Sequence, residues 1–149
     1  MNLNETKKGI YYTTDNIRKI DANIINLLNK KSLEINLKIV RLCLHSNEQK
    51  NLMSMLILVR DKYIYPPHKH SWKDEVYSII KGNCVYEEFD DQGNLLISEE
   101  LSEGQTLLNH NKNFHMIKPL TNLFCFLETT TGPFKENSIE YLDLARLDV

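Results

Sequence analysis

The stretch from residue 66 to residue 82 constrains this chain more than any other part of it. It reads Pro-Pro-His-Lys-His-Ser-Trp-Lys-Asp-Glu-Val-Tyr-Ser-Ile-Ile-Lys-Gly, so one residue separates His68 from His70 and Glu75 follows five residues later. In an extended strand alternate side chains lie on one face, which places the two imidazoles side by side, with backbones about 6.6 Å apart. Gly82, followed by Asn83, then indicates a turn.

A second segment, from Gly104 to His115, ends in a third histidine. Three imidazoles and one carboxylate suit a divalent transition metal such as Fe, Mn, Ni or Zn. A lone His-x-His pair also occurs on solvated strands, but the added carboxylate, the closing glycine and the distant histidine favour a metal site. We expect the carboxylate to enter from a strand next to the two histidines. The predicted ligands of one such ion are His68, His70, Glu75 and His115.

Short strand-like segments with turn signals about every ten residues fill most of the chain after residue 50. Residues 52–59 are nearly all apolar, as expected of a core strand buried on both faces. We expect two hairpins, one turning at residues 81–83 and the other at residues 90–93. This pattern favours an all-β barrel or sandwich.

The N-terminal part of the chain has a different pattern. Residues 1–13 are polar, and we expect them to be loosely held. Thr14 and Asp15 are candidate N-caps for a helix that runs to about Lys31. Its apolar stripe is predicted to pack against a sheet or a second subunit, and consists of Ile17, Ile20, Ile24, Leu27 and Leu28.

After the predicted helix the periodicity changes from helical to alternating. Between Leu33 and Ile39 apolar residues alternate with polar ones, which predicts a strand. We therefore expect residues 1–33 to form an N-terminal helical extension and residues 34–149 to form the β-barrel. The two parts are expected to make one structural domain, since 149 residues can bury a single core.

Composition narrows the classes of function. A net charge of −2 gives no basic surface, so we do not expect nucleic acid as a partner. The N-terminus has no apolar signal segment and no run is long enough to span a bilayer, so we expect a cytoplasmic protein. Cys43, Cys84 and Cys125 lack paired spacing and are predicted to be buried reduced thiols, with a disulfide as the less favoured alternative.

The two segments resemble the two motifs of the cupin superfamily. The resemblance implies a mainly β, single-domain cupin fold, a double-stranded β-helix or jelly-roll barrel, here with an N-terminal helix. In the second motif His110 and Lys112 stand where the family usually has a proline and a glycine, whereas the ligand positions are kept. The matching residues are His68, His70, Glu75, Gly82, Gly104 and His115.

More narrowly, residues 35–135 resemble the WbuC family of cupin-fold metalloproteins. Proteins of that family are often encoded with enzymes of surface-polysaccharide (O-antigen) biosynthesis, and the resemblance implies a homodimer. The C-terminal tail lacks the Trp-Ala-Pro ending of the family. The matching segments are 41–45, 67–70, the pair Lys73 and Glu75, 89–93, 126–128 and 132–134.

Further side chains are candidates for binding a small-molecule ligand at the mouth of the site. Arg41 could clamp an anionic group, with a surface ion pair as the alternative. His45 and His110 could bind a substrate or exchange a proton near neutral pH, with exposed loop positions as the alternative. The predicted substrate-binding set is Arg41, His45, Tyr65, Trp72, Lys73 and His110.

Three classes of function remain open at this point. The first is a small metal-dependent enzyme acting on a sugar or other small polar metabolite, by isomerisation, epimerisation or hydrolysis, or with iron by dioxygen activation. The second is a non-catalytic metal- or ligand-binding module that regulates or scaffolds a glycan pathway. The third is a metal-free sugar isomerase or epimerase, which the complete ligand set disfavours. The fold cannot choose among them, because one fold hosts many functions.

Overall fold

The structure is a computed structural model that describes residues 2–15, 18–110, 112–135 and 138–143. In this part of the chain strands predominate, with one helix near the N-terminus. The elements are β1 (Leu3–Lys7), β2 (Ile10–Thr13), α1 (Ala22–Glu34), β3 (Ile39–Cys43), β4 (Leu52–Arg60), β5 (His68–His70), β6 (Glu75–Lys81), β7 (Cys84–Phe89), β8 (Leu95–Leu101), β9 (Thr106–Asn109), β10 (Phe114–Pro119), β11 (Leu123–Thr131) and β12 (Ile139–Tyr141).

The strands form two sheets. The first has the order β1-β2-β3-β4-β11-β6-β9 and the second has the order β12-β5-β10-β7-β8. Neighbouring strands are antiparallel, except that β2 and β3 are parallel. Consecutive strands repeatedly change sheet, which is the jelly-roll arrangement. The predicted mainly β cupin fold with an N-terminal helix is therefore confirmed.

Strand β4 is buried on both faces, as its nearly unbroken apolar sequence predicts. Ile57 and Val59 lie in the core between the two sheets, together with Tyr86 of β7. Leu56 and Leu58 point the other way, into a second core that the helix covers. The first sheet is thus packed on both sides, with the helix on its outer face.

The helix begins and ends later than its sequence pattern predicts. Asp21 is the N-cap, and its side chain accepts a hydrogen bond of 3.1 Å from the N–H of Ile24. At the other end Asn36 adopts a positive φ of 52°, and the N–H of Leu37 bonds to the carbonyl of Ser32 at 3.1 Å. This left-handed cap explains why residues 33–38, predicted as a strand, are the end of a helix and a turn.

Residues 1–13 were expected to be loosely held, but Leu3–Lys7 and Ile10–Thr13 form the strands β1 and β2. These strands pair with each other, and β2 also pairs with β3 in parallel. The predicted helical extension therefore contains strands as well as a helix. The division of the chain at residues 33 and 34 stays a prediction.

Only one of the two predicted hairpins forms. Strands β7 and β8 pair directly, with Cys84 opposite Leu101. Strands β6 and β7 do not pair, because β6 joins β11 and β9 in the first sheet whereas β7 joins β10 and β8 in the second. Gly82, with a φ of 83°, turns the chain from one sheet to the other.

Two further expectations concern the cysteines and the membrane. Cys43, Cys84 and Cys125 are all buried and free, as predicted. Within the described ranges no helix has the length and apolar character needed to cross a membrane.

Candidate metal centre and its cavity

The four predicted ligands meet between the two sheets. His68 and His70 lie on β5, and His115 of β10 pairs directly with His68 in the same sheet. Glu75 is the first residue of β6, in the other sheet. Glu75 thus enters from the strand that follows β5 along the chain, and because the chain crosses between sheets after His70, the carboxylate approaches from the opposite wall.

The four groups are in close contact. The ring centroid of His68 lies 4.7 Å from that of His115 and 5.3 Å from that of His70. The Glu75 carboxylate contacts two of the rings, with Oε1 3.4 Å from His70 Nε2 and Oε2 3.1 Å from His115 Nε2. Glu75 is only 2% exposed. The structure thus brings together every residue that the motifs assign to the metal.

Backbone carbonyls select the tautomer of two of these histidines. Nδ1 of His68 lies 3.1 Å from the carbonyl oxygen of Pro66, and Nδ1 of His115 lies 3.2 Å from that of Asn113. A carbonyl oxygen only accepts, so each Nδ1 carries the proton and donates it. Each Nε2 is then left with a lone pair directed to the cluster, which is the usual state of a metal-ligating histidine.

This arrangement fits a bound cation. In neutral His115 the Nε2 lone pair faces a carboxylate oxygen at 3.1 Å, so two acceptors meet unless a proton or a metal ion lies between them. Donor atoms that share one ion at about 2.1 Å are themselves about 3.0 to 3.4 Å apart, and the two Glu75 contacts fall in this range. As the side chains stand, no group of three or more His, Cys, Asp or Glu in the described residues is positioned to hold an ion. The donor chemistry fits nevertheless.

The electrostatics keep these ligands in their binding forms. Burial lowers the pKa of His68 to about 3, and that of His70 to about 4, with nearby cationic groups adding to the effect. Burial alone would raise the pKa of Glu75, but its contacts with His115 and the positive charge of Lys73 lower it to about 2. At neutral pH His68 and His70 are therefore neutral and Glu75 is ionised, as metal binding requires.

Two buried neighbours, Tyr77 and Asn109, contact both Glu75 and His115. The hydroxyl of Tyr77 donates to Glu75 Oε2 at 2.9 Å and lies 3.2 Å from Nε2 of His115. Asn109 Nδ2 lies 3.4 Å from the same oxygen and 3.2 Å from His115 Nδ1, while its Oδ1 has no partner among the described residues. With that amide turned over, Oδ1 accepts from the His115 Nδ1–H, so Asn109 then orients His115 and the carboxylate keeps its hydrogen bond from Tyr77. Such outer partners orient metal ligands.

A cavity of about 260 Å³ opens beside the cluster. Arg41, His45, Tyr65 and Lys73 line it, so four of the six predicted substrate-binding residues are brought together. Lys73 lies closest to the ligands, with Nζ 3.6 Å from Glu75 Oε1. The cavity is small, which limits its occupant to a small metabolite.

Arg41 and Tyr65 form one side of this cavity. The guanidinium of Arg41 lies 5.9 Å from the ring centroid of Tyr65, and within the described part of the chain it has no hydrogen bond or ion pair. Tyr65 packs edge-on against His68 at 5.3 Å, and its hydroxyl bonds to that of Tyr141 at 2.6 Å. An unpaired guanidinium in a cavity wall is available to an anionic ligand.

The other two predicted residues lie elsewhere. Neither Trp72 nor His110 belongs to the cavity wall that the described residues form. Lys135 stacks over the Trp72 ring at 4.3 Å, and His110 is exposed. Their predicted roles in substrate binding have no support in this geometry, and they stay predictions.

The motifs did not assign a role to Glu128. This residue lies on β11 opposite Tyr77 of β6, and its side chain lines the cavity. Burial, with the charge of Glu75, raises the pKa of its carboxyl. No hydrogen bond or ion pair engages it in the described structure. The alternation of Phe126, Glu128 and Thr130 on one strand face was the signal that could have revealed it.

Comparison with known proteins agrees with the fold. Oxalate decarboxylase from Bacillus subtilis matches 63% of this chain with 24% identity and a TM-score of 0.54, and CapF bound to the inhibitor 3-isopropenyl-tropolone matches 70% with 13% identity and a TM-score of 0.59. This chain spans only 24% and 31% of those two chains. KdgF from Halomonas sp. is nearer in size, since 67% of this chain covers 83% of it, with 17% identity and a TM-score of 0.53.

Identities this low establish the fold alone, and the fold that this chain shares with these structural neighbours is the cupin fold. None of the curated proteins matches it at a significant level. Residues 20–101, more than half of the 149, match a family described as a domain of unknown function, DUF6016. The chain is therefore a cupin-fold protein that belongs to the DUF6016 family.

Proposed function

We propose that this protein is a small metal-dependent enzyme that acts on a sugar or other small polar metabolite. The observation that carries the proposal is the convergence of three imidazoles and one carboxylate at the end of a cavity, where backbone carbonyls hold the Nδ1–H of His68 and His115 and leave the Nε2 atom of each ring unprotonated. The residues that would hold one divalent transition-metal ion are His68, His70, Glu75 and His115.

The residues around the ligands support catalysis. A divalent ion at this position supplies Lewis-acid chemistry, polarising an oxygen of the substrate. Arg41 binds an anionic group of the substrate, and Tyr77 holds Glu75 in place through its hydroxyl. Glu128 is the group best suited to give or take a proton, because it lines the same cavity and its raised pKa lies nearer neutrality than that of an exposed carboxyl.

The pathway and setting are part of the same proposal. The resemblance of residues 35–135 to the WbuC family supports a role in surface-polysaccharide metabolism, in the cytoplasm and as a homodimer. The substrate is then a sugar-derived metabolite. Isomerisation or epimerisation fits a site with a Lewis acid and a nearby proton-exchanging carboxyl, whereas iron in the same ligand set would favour dioxygen chemistry.

Metal content tests the proposal most directly. The protein is purified without chelators or a histidine tag, and bound metals are quantified in the wild type, in the double variant His68→Ala/His70→Ala and in His45→Ala. We expect about one equivalent in the wild type, almost none in the double variant and an unchanged amount in the control, because His45 lies in the same cavity wall but outside the cluster.

Reconstitution separates the possible outcomes. Wild-type protein that takes up none of Fe, Mn, Ni or Zn would contradict the metal site. Metal that binds while no sugar or sugar acid is converted, although a sugar binds tightly, would favour the non-catalytic binding module. Circular dichroism of the double variant checks that it is folded.

A further inference from the structure

The cavity has a second end, which the metal site does not explain. His45 follows β3 and lines the cavity wall, although it is three strands away from Glu75 in the order β3-β4-β11-β6. At about 4.8 Å per strand this is roughly 14 Å along the curved sheet. His45 is only 8% exposed, so its ring nitrogens need partners within the protein or in a ligand.

The backbone around His45 assigns its tautomer. In an antiparallel sheet the N–H and C=O of one residue point to the same neighbouring strand. The Ser54 carbonyl accepts from the N–H of Leu44 at 2.8 Å, so the Ser54 N–H also faces that strand. Its ordinary acceptor would be the Leu44 carbonyl, but this oxygen accepts from the guanidinium of Arg18.

The ring of His45 takes the place of that missing acceptor. The Ser54 N–H donates to His45 Nδ1 at 3.1 Å. Nδ1 also lies 3.0 Å from the Ser54 carbonyl, which already accepts from Leu44 and needs no second donor, whereas a proton on Nδ1 would leave the Ser54 N–H without any acceptor among the described residues. Nδ1 is therefore the unprotonated nitrogen, and the proton of the neutral ring is on Nε2.

His45 Nε2 is a donor without an acceptor. It is buried and has no hydrogen-bond partner among the described residues. Because Nδ1 faces the backbone of β4, Nε2 lies on the other side of the ring, where it has almost no accessible surface, so a ligand oxygen contacts it only after displacing neighbouring side chains at this end of the cavity. A buried N–H that stays unpaired costs free energy, so a ligand that supplies an acceptor gains affinity here.

The surroundings define what kind of acceptor fits. Tyr12 packs edge-on against the His45 ring at 5.6 Å, and Met53 and Phe134 also line the cavity. The carboxylate at this end, Glu48, lies 3.5 Å from Lys7 in an exposed ion pair. A ligand hydroxyl would carry a proton that needs an acceptor of its own at this end. The carbonyl oxygen of an amide or ester only accepts, and the apolar part of such a group can pack against the apolar walls.

We infer that this end of the cavity is a subsite for a neutral carbonyl oxygen, such as that of an acyl or amide group, which accepts a hydrogen bond from His45 Nε2. The inference rests on the proposed function in one respect, since the other end of the ligand is taken to bind the metal. The ligand class is then a small molecule with chelating oxygens at one end and an acyl or amide carbonyl at the other.

A series of hydroxamates can measure this distance and chemistry together. A hydroxamate chelates divalent transition metals, and an alkyl chain of about three to nine methylene groups spans the cavity. Two series are compared by calorimetry on zinc-loaded protein, one ending in a carboxamide and the other in a methyl group. At one chain length we expect the carboxamide to bind about three- to tenfold more tightly, the range of one hydrogen bond.

Two substitutions identify the residue responsible. In His45→Ala no side-chain donor remains at this position, so the carboxamide advantage should disappear. The same substitution at exposed His110 should keep it. A carboxamide advantage that is absent at every chain length, or that persists in His45→Ala, would overturn the inference.

The tautomer can be tested without any metal. Long-range nitrogen–proton correlations of the metal-free protein are expected to show His45 with its proton on Nε2, and a proton on Nδ1 would contradict the argument. Failure of zinc and of all hydroxamates to bind, with the Nε2–H tautomer present, would instead count against the metal centre. The two proposals can therefore fail separately.

Discussion

Buried histidines stand at both ends of one cavity, and their backbone contacts make them chemically opposite. At the metal end the Nδ1 atoms of His68 and His115 meet carbonyl oxygens, so Nε2 presents a lone pair. At the other end Nδ1 of His45 meets the N–H of Ser54, so Nε2 presents a proton. The backbone group behind the ring thus decides whether Nε2 is suited to ligate a metal or to donate a hydrogen bond.

The two ends also differ in their neighbours. Glu75 gives the metal end an ionised carboxylate between imidazoles, whereas the His45 end is lined largely by apolar and aromatic side chains. Cations are therefore favoured at one end and neutral acceptors at the other. Between them lie Arg41 and Glu128, which have no hydrogen bond or ion pair in the described structure.

The largest expected difference is in metal affinity, between substitutions of the two cavity carboxylates, Glu75 and Glu128. Replacing Glu75 by Gln removes a direct ligand, and we expect metal affinity to fall by more than about a hundredfold, since even lost outer partners cost about 10- to 100-fold. Glu128→Gln should change it less than about threefold. Competition with a metal indicator measures both. Equal effects of the two substitutions would contradict the assignment of Glu75 as the ligand.

The two tyrosines provide a second contrast. Tyr77→Phe removes the hydroxyl that donates to Glu75, so metal affinity should fall by about tenfold. Tyr65→Phe removes a hydroxyl bonded to Tyr141 instead, and should leave metal affinity nearly unchanged. Both are measured in the same indicator assay. A larger loss of metal affinity in Tyr65→Phe than in Tyr77→Phe would contradict the role of Tyr77 in holding Glu75.

Acid should weaken the metal-free fold through the metal end. The pKa values of His68 and His70 are lowered to about 3 and about 4 in the folded chain, so as pH falls below about 6.5 the unfolded chain binds protons first. Stability present above that pH is lost as the pH approaches 4. Glu75, with its pKa near 2, adds a loss between about 4.5 and 2.

Thermal unfolding between pH 7 and pH 4 measures this effect. We expect the Tm of the metal-free wild type to fall by at least about 5 °C, and that of His68→Ala/His70→Ala to fall less. An equal decrease in both proteins would show that the acid sensitivity comes from other groups.

The smallest effect concerns the unpaired carboxyl between the two ends. Burial raises the pKa of Glu128, so ionisation of this group at neutral pH destabilises the folded chain. Glu128→Gln should therefore raise the Tm at pH 7 by about 2 to 4 °C. This gain in Tm should shrink as the pH is lowered, because Glu128 of the wild type then becomes protonated and no longer buries a charge. A Tm that falls at pH 7 would mean that Glu128 makes a stabilising contact.

Local patterns predicted much of this molecule. The spacing of His68 and His70 on one strand face, the apolar run of β4 and the turn glycines depend on neighbours within a few residues, and each is found as predicted. The alternation of apolar and polar residues from residue 33 to residue 39 predicted a strand, and this prediction was wrong. Side-chain burial and the left-handed Asn36 cap extend the helix instead.

The sequence by itself determined the donor set of the site and the strands that carry it, because residue type and strand alternation are properties of short segments. Only the tertiary structure decided that Glu75 faces the histidines from the other sheet, that Glu128 shares their cavity and that His45 carries its proton on Nε2. These features depend on which strands pair and which backbone group meets each ring. Such contacts join residues far apart in the chain, so no local pattern encodes them.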